Sequence, residues 1–504
     1  MSNPFSRLGY LGIAEEITAG TPVIADTFVE LQSENIVASY PLTPATPIAN
    51  RRDINSRPSK EKIEVTGDLT ILVEPKNIGE FLQNFAGAPS TTILTANKSY
   101  QHVWTLANTN EKTYTFEVKP ADANYVMRYT GVKISQMAFS QSDNKIQCVI
   151  SIMAQKAFTN ARVTKAANNT TSLELDQTSG LTASDVIRVL DKTTQATDDT
   201  ASVSAVSSET VLTLAAAATA AVGDIVVIQK STPIYTVSDN LTFIGGTTFK
   251  LRAANEYGNP IDNVTAKELE DFSINFLNEL EARYTADGCE LANRFPKSIK
   301  VKGFSANGNL VNIYTTSERI DDMRSNEQMA FRLDICGKAI DTNSAVAASV
   351  NMGTGDAGFS VAASAAGEAG NDINIRIVTN SADTLAATKT GNNILVKLAS
   401  TTTASNTATL VRAAVTALSG VISTASGSGA SEVQIVAKTN LTGGRDANEK
   451  ELLRFDFNNV RFDPFNDNIS EDDLIQEDIA WNAYYDSTDS RTCKIILRNE
   501  ISGY

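Results

Sequence analysis

The sequence is poor in the residues that most catalytic and metal sites use. Its 504 residues include one histidine, four cysteines and two tryptophans. Histidine is the commonest general base of enzymes, and the single one, His102, lies in SYQHVWTL without an acidic neighbour in sequence. We therefore expect a packed or surface imidazole. Zinc sites need clustered ligands, but the cysteines are scattered without a CxxC pair, at Cys148, Cys289, Cys336 and Cys493.

Motifs that mark enzymes and cofactor sites are also missing. GxSxG, P-loop, HExxH and GxGxxG patterns do not occur. GTGDAG, around Gly353, does not link an apolar strand to a helix, so it predicts a flexible loop. The acidic phrase NISEDDLIQEDIAW lacks the register of a calcium-binding EF-hand loop, although it holds Asp472, Asp473, Glu477 and Asp478. We expect no enzymatic activity, no cofactor and no bound metal.

Signals for a membrane or a secretory route are absent. No apolar run approaches the roughly 18 residues of a membrane span, and the start, MSNPFSRLGYLGIAEE, has no basic segment followed by an apolar one. Scattered cysteines fit free thiols in a reducing cytoplasm. We expect synthesis in a cytoplasm and no membrane partner.

Positive charge is in deficit. The formal net charge is -15 and the sequence pI about 4.8. An acidic surface repels phosphate, which argues against tight binding of nucleic acid over a broad face. It is compatible with a wall past which DNA slides without sticking.

What is present is ordinary globular composition, with 42% hydrophobic and 20% charged residues. Aromatic residues are only 7%, while Ser, Thr, Ala and Asn fill long stretches. Such composition suits many short strands with modest cores, and the length allows several domains. The sequence predicts a mainly β fold.

An internal repeat is the most informative feature of the sequence. AFSQSDNKIQCVISIMAQ aligns without a gap on AYYDSTDSRTCKIILRNE, placing Ala138 on Ala483 and Cys148 on Cys493. Each copy reads as strand, polar turn and strand. We expect two equivalent β-hairpins, with turns at Ser142-Asp143-Asn144 and Ser487-Thr488-Asp489.

Three weaker matches lie upstream in the same order. GTPV (20–23) matches GNPI (258–261), IANR (48–51) matches LANR (291–294), and Ile63-x-Val65-x-Gly67 matches Ile299-x-Val301-x-Gly303. The order predicts a duplicated β domain, a β-sandwich or barrel, with one copy at 1–159 and the second in two parts at 233–344 and 446–504. A flanking helix is predicted in each copy, in NIGEFLQNFAG (residues 77–87) and SERIDDMRSNEQM (residues 317–329).

Two segments interrupt this plan. Residues 160–232 carry LTASDVIRVL and AVGDIVVI, two β-rich phrases that follow the turn-forming Asp185 and Asp224, and predict a small all-β domain. Residues 345–445 predict a small α+β domain, with one helix whose apolar face comprises Leu410, Val411, Ala414, Val415 and Leu418. Insertions are tolerated at loops and tend to point outward, so we expect both on the exterior.

A long polar segment, Pro41–Lys62, contains a short cluster of mixed charge at Arg51, Arg52, Asp53 and Arg57. The cluster is too short and too mixed in sign for a DNA-binding arm. A loop of this length is either disordered or used for contacts. We favour a contact between subunits through these four residues.

The segments GYLGIAEEITAGTPVIADTFVELQSENI, PIANRRDINSRPSKEKIEVTGDLTI and DDLIQEDIAWNAYYD with CKIILRNE resemble the tail tube proteins (major tail proteins) of bacteriophages. The resemblance covers about two thirds of the chain, all outside the two inserts. GEAGNDINI and LTGGRD in the second insert look like modules appended to various phage tail proteins, sheath proteins included.

The resemblance implies a structural protein of the virion. In that family, strands of neighbouring subunits join into one β-barrel around a channel, and rings stack into a tube through which genomic DNA leaves. It implies self-assembly, contacts with the tail tip, terminator and tape measure proteins, and passage of DNA without specific binding. Single-domain members build sixfold rings, so a duplicated chain is expected to build a trimer with pseudo-sixfold symmetry.

Two other classes of protein remain open. One is a phage tail sheath or decoration protein, which would not need a twice-repeated β domain. The other is a β-rich cell-surface adhesin or carbohydrate-binding protein, which would favour a signal peptide and exposed aromatic platforms.

Overall fold

A computed structural model describes residues 8–45, 56–95, 98–106, 112–120, 125–236, 238–253, 261, 264–285, 294–313, 328–340, 344–400, 403–444, 449–463, 476–487 and 490–504. The chain is mainly β, which confirms the predicted fold class. Three hydrophobic cores organise it: one shared by the two duplicated copies, one formed by the first insert together with adjoining residues of the first copy such as Phe28 and Phe158, and one in the second insert.

The first copy contains thirteen strands and one helix. These are β1 (Tyr10–Glu15), β2 (Thr27–Val29), β3 (Ser33–Glu34), β4 (Val37–Ser39), β5 (Leu42–Ala45), β6 (Ser56–Lys60), β7 (Glu64–Leu72), α1 (Ile78–Ala86), β8 (Ser90–Thr95), β9 (Ser99–Trp104), β10 (Tyr114–Lys119), β11 (Tyr125–Ser142), β12 (Lys145–Ala154) and β13 (Lys156–Phe158).

Helix α1 forms where the apolar spacing predicts it. Ile78, Phe81, Leu82 and Phe85 recur at helical spacing and are all buried. The helix packs against β11, and the Asn84 side chain donates a hydrogen bond to the Val132 carbonyl of that strand (2.9 Å). Helix α1 therefore closes one side of the core of the first copy.

The segment after β13 folds into a closed six-stranded barrel. Its strands are β14 (Ala161–Lys165), β15 (Ala167–Leu175), β16 (Val186–Leu190), β17 (Thr197–Val206), β18 (Val211–Ala220) and β19 (Ile225–Gln229), paired antiparallel in the order β14-β15-β18-β17-β16-β19 and back to β14. Asp185 and Asp224 stabilise the turns before β16 and β19, because their carboxylates accept hydrogen bonds from the backbone amides of Thr182 and Ala221. Closure leaves this barrel without an unpaired edge.

A buried ion pair fastens the barrel to the first copy. The Arg128 guanidinium on β11 binds both carboxylate oxygens of Asp185 (2.7 and 2.9 Å) and also Glu117 (3.1 Å). All three side chains are almost fully buried. A bidentate contact of this kind fixes orientation as well as distance, so the barrel is a rigid part of the molecule.

The second copy begins with β20 (Thr247–Arg252), β21 (Ala266–Lys267), β22 (Asp271–Arg283), β23 (Ser298–Ile313) and β24 (Met329–Ala339). An α+β module follows, formed by β25 (Ser349–Met352), β26 (Phe359–Ala363), β27 (Asn374–Thr379), β28 (Ala386–Thr390), β29 (Asn393–Leu398), α2 (Ala408–Thr416), β30 (Val421–Ala425) and β31 (Val436–Asn440). The copy resumes with β32 (Lys450–Phe462), β33 (Gln476–Ala483) and β34 (Lys494–Asn499).

Helix α2 lies where the sequence predicts a helix, but its buried face is rotated. Ala408, Val411 and Val415 are buried, whereas Leu410 is 45% exposed. The helix packs on β26, β28 and β30, which lie in two small sheets. Its contact face is centred on Val411 and Val415, and these small residues allow the close approach. The helix predicted in SERIDDMRSNEQM falls mostly outside the described residues, and its last residue, Met329, begins β24.

Strand pairing repeats between the two copies. In the first copy, β1 pairs with β10, β10 with β11, and β7 with β12. Strands β12 and β13 both pair with β11, one after the other along the same edge. In the second copy, β20 pairs with β24, β24 with β32, and β23 with β33. Strands β33 and β34 both pair with β32, one after the other along the same edge. Six strands therefore correspond in order: β1/β20, β7/β23, β10/β24, β11/β32, β12/β33 and β13/β34.

This correspondence corrects the predicted second hairpin. Strands β11 and β12 do form a hairpin, with Asp143 and Asn144 in a left-handed turn (φ 48° and 61°). In the second copy an antiparallel bridge between Asp486 and Arg491 closes the predicted turn, but the described parts of the strands on either side, β33 and β34, pair with β32 and not with each other. Cys148 lies within β12 while Cys493 precedes β34, so the two cysteines are not equivalent. The gapless alignment failed because any two strands with alternating apolar residues look alike in sequence.

Candidate functional site

A single antiparallel sheet runs through both copies in the order β7-β12-β11-β22-β23-β33. The junction between copies is the pairing of β11 with β22, from Gln136 opposite Leu277 to Ser140 opposite Ser273. The two copies are therefore joined by main-chain hydrogen bonds as well as by side-chain packing.

One face of this sheet is buried, because alternate residues of each strand point into the shared core. On β12 these are Ile146, Cys148, Ile150 and Ile152. Phe276 of β22 lies near Phe139 of the first copy and Phe455 of the second, at ring-centroid distances of 6.1 and 5.7 Å. The core crosses the junction, so the two copies cannot separate without exposing it.

The opposite face, here called the polar face, is open to solvent. Cross-strand register keeps its residues on one side of the sheet. They are Thr66, Asp68, Thr70 and Leu72 (β7), Lys145, Gln147, Val149, Ser151 and Met153 (β12), Gln136, Ala138, Ser140 and Ser142 (β11), Asp271, Ser273, Asn275, Leu277 and Glu279 (β22), Ser305, Asn307, Asn309 and Val311 (β23), and Asp478, Ala480 and Asn482 (β33).

Charge on the polar face is sparse and mostly negative. Of the residues just named, four are carboxylates and one, Lys145, is a lysine; the rest are uncharged, and Lys133, opposite Met153 on this side, is buried. Several of these side chains are tied to their neighbours: Ser151 Oγ donates to Asp68 (2.6 Å), and Asn275 donates to Asn307 (3.3 Å). A surface of this kind offers a phosphate backbone very few cations to bind.

The described ends of the Pro41–Lys62 segment, on either side of residues 46–55, contain strands rather than irregular loop alone. Strands β5 and β6 pair with each other, from Leu42 opposite Lys60 to Ala45 opposite Ser56, in a two-stranded ribbon separate from the other described sheets. We call this hairpin the arm. Tyr40 and Leu42 are 46% and 59% exposed. An exposed ribbon with apolar residues is typical of a contact surface.

The base of the arm is fixed against the second copy. The Ile63 amide donates to the Arg294 carbonyl (2.8 Å), and Arg294 Nε donates to the Glu61 carbonyl (2.7 Å). Tyr284 donates to the Ile63 carbonyl (3.2 Å), and the Lys62 ammonium lies 5.0 Å from the centre of its ring. Both copies therefore set the direction in which the arm leaves the sheet.

The residues predicted for inter-subunit contact belong to this arm. Arg51, Arg52 and Asp53 lie outside the described residues, and Arg57 lies within β6 with its side chain outside them. The structure brings their flanking strands together but does not describe their side-chain contacts.

The only histidine of the chain is packed. His102 on β9 is fully buried, with Nδ1 2.9 Å from Thr91 Oγ1 and Nε2 2.9 Å from the Ile501 carbonyl. A carbonyl only accepts, so Nε2 carries the proton and Nδ1 accepts from Thr91. Burial lowers the pKa of this imidazole, which suits a structural residue.

The buried cysteines offer no reactive thiolate. Cys148 and Cys493 are free and buried, and burial raises the pKa of both, that of Cys493 to about 12. The thiolate is the nucleophilic and metal-binding form, so these thiols are inert at neutral pH.

Three carboxylates of the barrel, Asp191, Asp198 and Asp224, approach within 4.8 Å of one another. They come from separate turns and strands, so no sequence motif predicts that they lie together. Backbone amides already donate hydrogen bonds to one carboxylate oxygen of Asp191 and to the carboxylate of Asp224. This is the one acidic group of metal-binding size in the described part of the chain.

Sequence reasoning did not identify which residues form the polar face. The signal was present in β12, where the buried Ile146, Cys148, Ile150 and Ile152 alternate with half-buried residues, two of them polar (Gln147 and Ser151). What was lacking is the order of the strands, which only the pairing reveals.

Comparison of the chain with protein-family models and with curated proteins finds no match. Among the described residues, no helix has the length and apolar character needed to cross a membrane.

Proposed function

We propose that this chain is the tail tube protein of a long-tailed bacteriophage. Chains join edge to edge into rings, and the rings stack into a tube whose bore conducts the genomic DNA to the host. The protein acts as a structural component of the virion and not as an enzyme. It has no cofactor, is made in the host cytoplasm and becomes part of the phage tail.

The observation that carries this proposal is the β11–β22 junction. It already joins one copy of the fold to the next through main-chain pairing. The counterpart of β11 in the second copy is β32, and the counterpart of β22 in the first copy is β3–β4, because each precedes and pairs with the equivalent strand β7 or β23.

Strands β3 and β4 pair only with β7 in the described part of the chain, so their outer edge is available. A second chain can repeat the internal junction there by adding the end of its β32, Arg461 and Phe462, which pair with β33 on one edge and lie beyond the part of β32 that β24 covers on the other. Such a head-to-tail contact generates a closed ring when the rotation closes, and it removes the unpaired edge that would otherwise invite aggregation.

The strand count favours three chains per ring. Each chain supplies eight strand positions to the wall: β3–β4, β7, β12, β11, β22, β23, β33 and β32. Three chains give twenty-four strands. At about 4.8 Å between strands and a tilt of 35–45°, the barrel is roughly 45–50 Å across the backbone. Side chains about 5 Å deep leave a bore of roughly 35–40 Å, enough for hydrated duplex DNA.

The polar face is assigned to the bore. Its carboxylates repel phosphate, and its serine, threonine and asparagine side chains hydrogen-bond water without holding a charge. DNA therefore passes without specific binding. The buried face turns toward α1 and the outer strands, which keeps the core away from the bore.

The arm is assigned to contacts between stacked rings. Arg51, Arg52 and Arg57 can form charge-assisted bonds to carboxylates of a neighbour, and Asp53 can take part in the same cluster. Alanine at the three arginines should shorten tubes while leaving rings and the thermal unfolding temperature unchanged. The same tubes in the triple variant would remove the arm from the interface.

Electron microscopy of the purified protein tests the assignment directly. Tubes or rings of uniform diameter, with a stain-filled centre of roughly 35–40 Å, are expected. A folded protein that stays monomeric at assembly concentrations would refute the proposal. Assemblies that form only around a separate, preformed tube would instead identify a sheath or decoration protein, and binding to glycan surfaces without assembly would identify an adhesin.

A further inference from the structure

The sheet β7-β12-β11-β22-β23-β33, here called the wall sheet, has two ends that differ in the sign of their charge. The first end holds the start of β7 and β23, the last residues of β22 and the β12–β13 joint; we call it the arm end. The second holds the β11–β12 turn and the start of β22 and β33; we call it the turn end. Antiparallel pairing fixes which strand termini meet at each end.

Cations predominate at the arm end. Among the described residues it carries Lys60, Lys62, Lys156, Arg283, Arg294, Lys297, Lys300 and Lys302, against Glu61, Glu64, Glu281 and, in the cleft beside Lys156, Glu209. Two of these four carboxylates are already paired locally. Glu64 binds Lys62 (2.6 Å), and Glu281 lies 3.5 Å from Lys302 and 3.8 Å from Arg283. The remaining lysines and arginines leave this end with an excess of positive charge.

A cleft of about 560 Å³ opens at the arm end, between the first copy, the second copy and the barrel. Lys156, Lys297 and Glu209 are its charged lining residues. No hydrogen bond or ion pair within the described residues engages the Lys156 ammonium. Burial, and then the charge of Lys297, lower the pKa of Lys156. An arriving carboxylate would relieve both effects.

Anions predominate at the turn end. Asp143, Asp239, Glu270, Asp271 and Asp478 lie there among the described residues, and Lys145 lies beside them. Asp143 occupies the tip of the β11–β12 turn and is exposed, as are Asp239 and Asp271. This end therefore complements the other end of the same chain.

We propose that this charge polarity makes the rings stack in one direction, with the turn end of one ring on the arm end of the next. The partner is a second copy of this chain, and the inference rests on the tube function proposed above. Head-to-head stacking would bring two basic or two acidic ends together and is disfavoured by like-charge repulsion. Opposite ends attract over about 8–10 Å at physiological salt.

Charge-swap variants test this. The first variant, Lys297→Glu, Lys300→Glu and Lys302→Glu, has two acidic ends. The second, Asp239→Lys, Glu270→Lys and Asp271→Lys, has two basic ends. Each variant alone should give rings that do not stack at 150 mM salt. At that salt concentration the Debye length is about 8 Å, so charges on facing rings still repel one another at contact. Mixing the two ring populations should restore tubes, in which the variants alternate.

A control matched to the first variant carries the same change of net charge elsewhere: Arg376→Glu, Lys397→Glu and Lys438→Glu are exposed positions on the α+β module. The control should form tubes by itself. Rings of both swap variants that stack alone, or that fail to stack when mixed, would overturn the charge polarity. A wild-type chain that forms no rings at all would instead refute the tube function, so the two failures are distinguishable.

Discussion

At the scale of single residues, the sequence could identify which side chains are inert but not what surrounds them. His102 was expected to be packed or on the surface, and it is fully buried between Thr91 and Ile501. Its partner Ile501 lies 399 positions away in sequence. Distances of this kind in sequence are invisible to any local pattern.

The buried imidazole makes stability depend on pH with a defined sign. Burial lowers the pKa of His102 in the folded chain, while the unfolded chain keeps an ordinary value of about 6.5. Between these two values the unfolded state binds more protons, so the contribution is complete above about pH 6.5 and is lost as the pH falls.

We therefore expect His102→Gln to lose less melting temperature than the wild type between pH 8 and pH 5.5. Glutamine can still donate to Ile501 and accept from Thr91, and it does not titrate. Calorimetry at both pH values measures the difference. Because the chain has no other histidine, equal losses in both proteins would show that His102 is not protonated on unfolding in this range.

At the scale of strands, the copies are equivalent in pairing but not in packing. Gly67 on β7 and Gly303 on β23 occupy matching positions. A Cβ on Gly67 would lie 2.4 Å from the Ile36 Cα, whereas a Cβ on Gly303 would meet nothing nearer than 3.7 Å. The two sites form a natural pair of test and control.

Gly67→Ala should destabilise the fold by about 1–3 kcal/mol, because the β3–β4 backbone must shift. Gly303→Ala should change stability by no more than about 0.5 kcal/mol. Denaturant unfolding measures both. Equal effects would mean that β3–β4 does not press on β7 as described, and the proposed ring edge would lose its geometric basis.

The sequence predicted strand-rich copies, helix α1 and the turns at Asp185 and Asp224, since each depends on local periodicity or turn chemistry. Apart from the β11–β12 hairpin, it did not predict the partner of any strand. The predicted equivalence of the second hairpin to the first was wrong for that reason: β33 and β34 lie apart along β32, and the alternation of apolar residues carries no information on pairing. The arm was expected as a loop because prolines within β5 and β6 hide a ribbon.

At the scale of the whole molecule, the α+β module occupies a turn of the second copy. Ala339 at the end of β24 pairs with Lys450 at the start of β32, and the Ile340 amide donates to the Glu449 carbonyl (2.7 Å). The equivalent strands β10 and β11 are joined by residues 120–124 only. The module enters and leaves at neighbouring positions, and it has its own core.

Replacing residues 345–445 by a short Gly/Ser linker should therefore leave ring formation intact. Loop length costs little in such a closure, and none of the wall strands is removed. Electron microscopy should show tubes with the same bore and a thinner outer wall. A deletion protein that folds, as judged by circular dichroism, but forms no rings would place the module in the assembly interface.

Ring stoichiometry follows from the duplication and decides the architecture as a whole. If one chain fills two of six equivalent places, a ring contains three 54.0 kDa chains and one junction in every two is covalently preset. Tethering lowers the entropic cost of closing the ring. The bore should show six similar repeats, whereas the exterior should show only three, because the barrel follows the first copy and the α+β module interrupts the second. Native mass spectrometry of rings and end-on class averages of tubes test the two statements separately. Six identical external protrusions, or a ring mass of six chains, would mean that a barrel of forty-eight strands, about twice as wide, encloses the bore, and the pairing of β11 with β22 would then not be the template for contacts between chains.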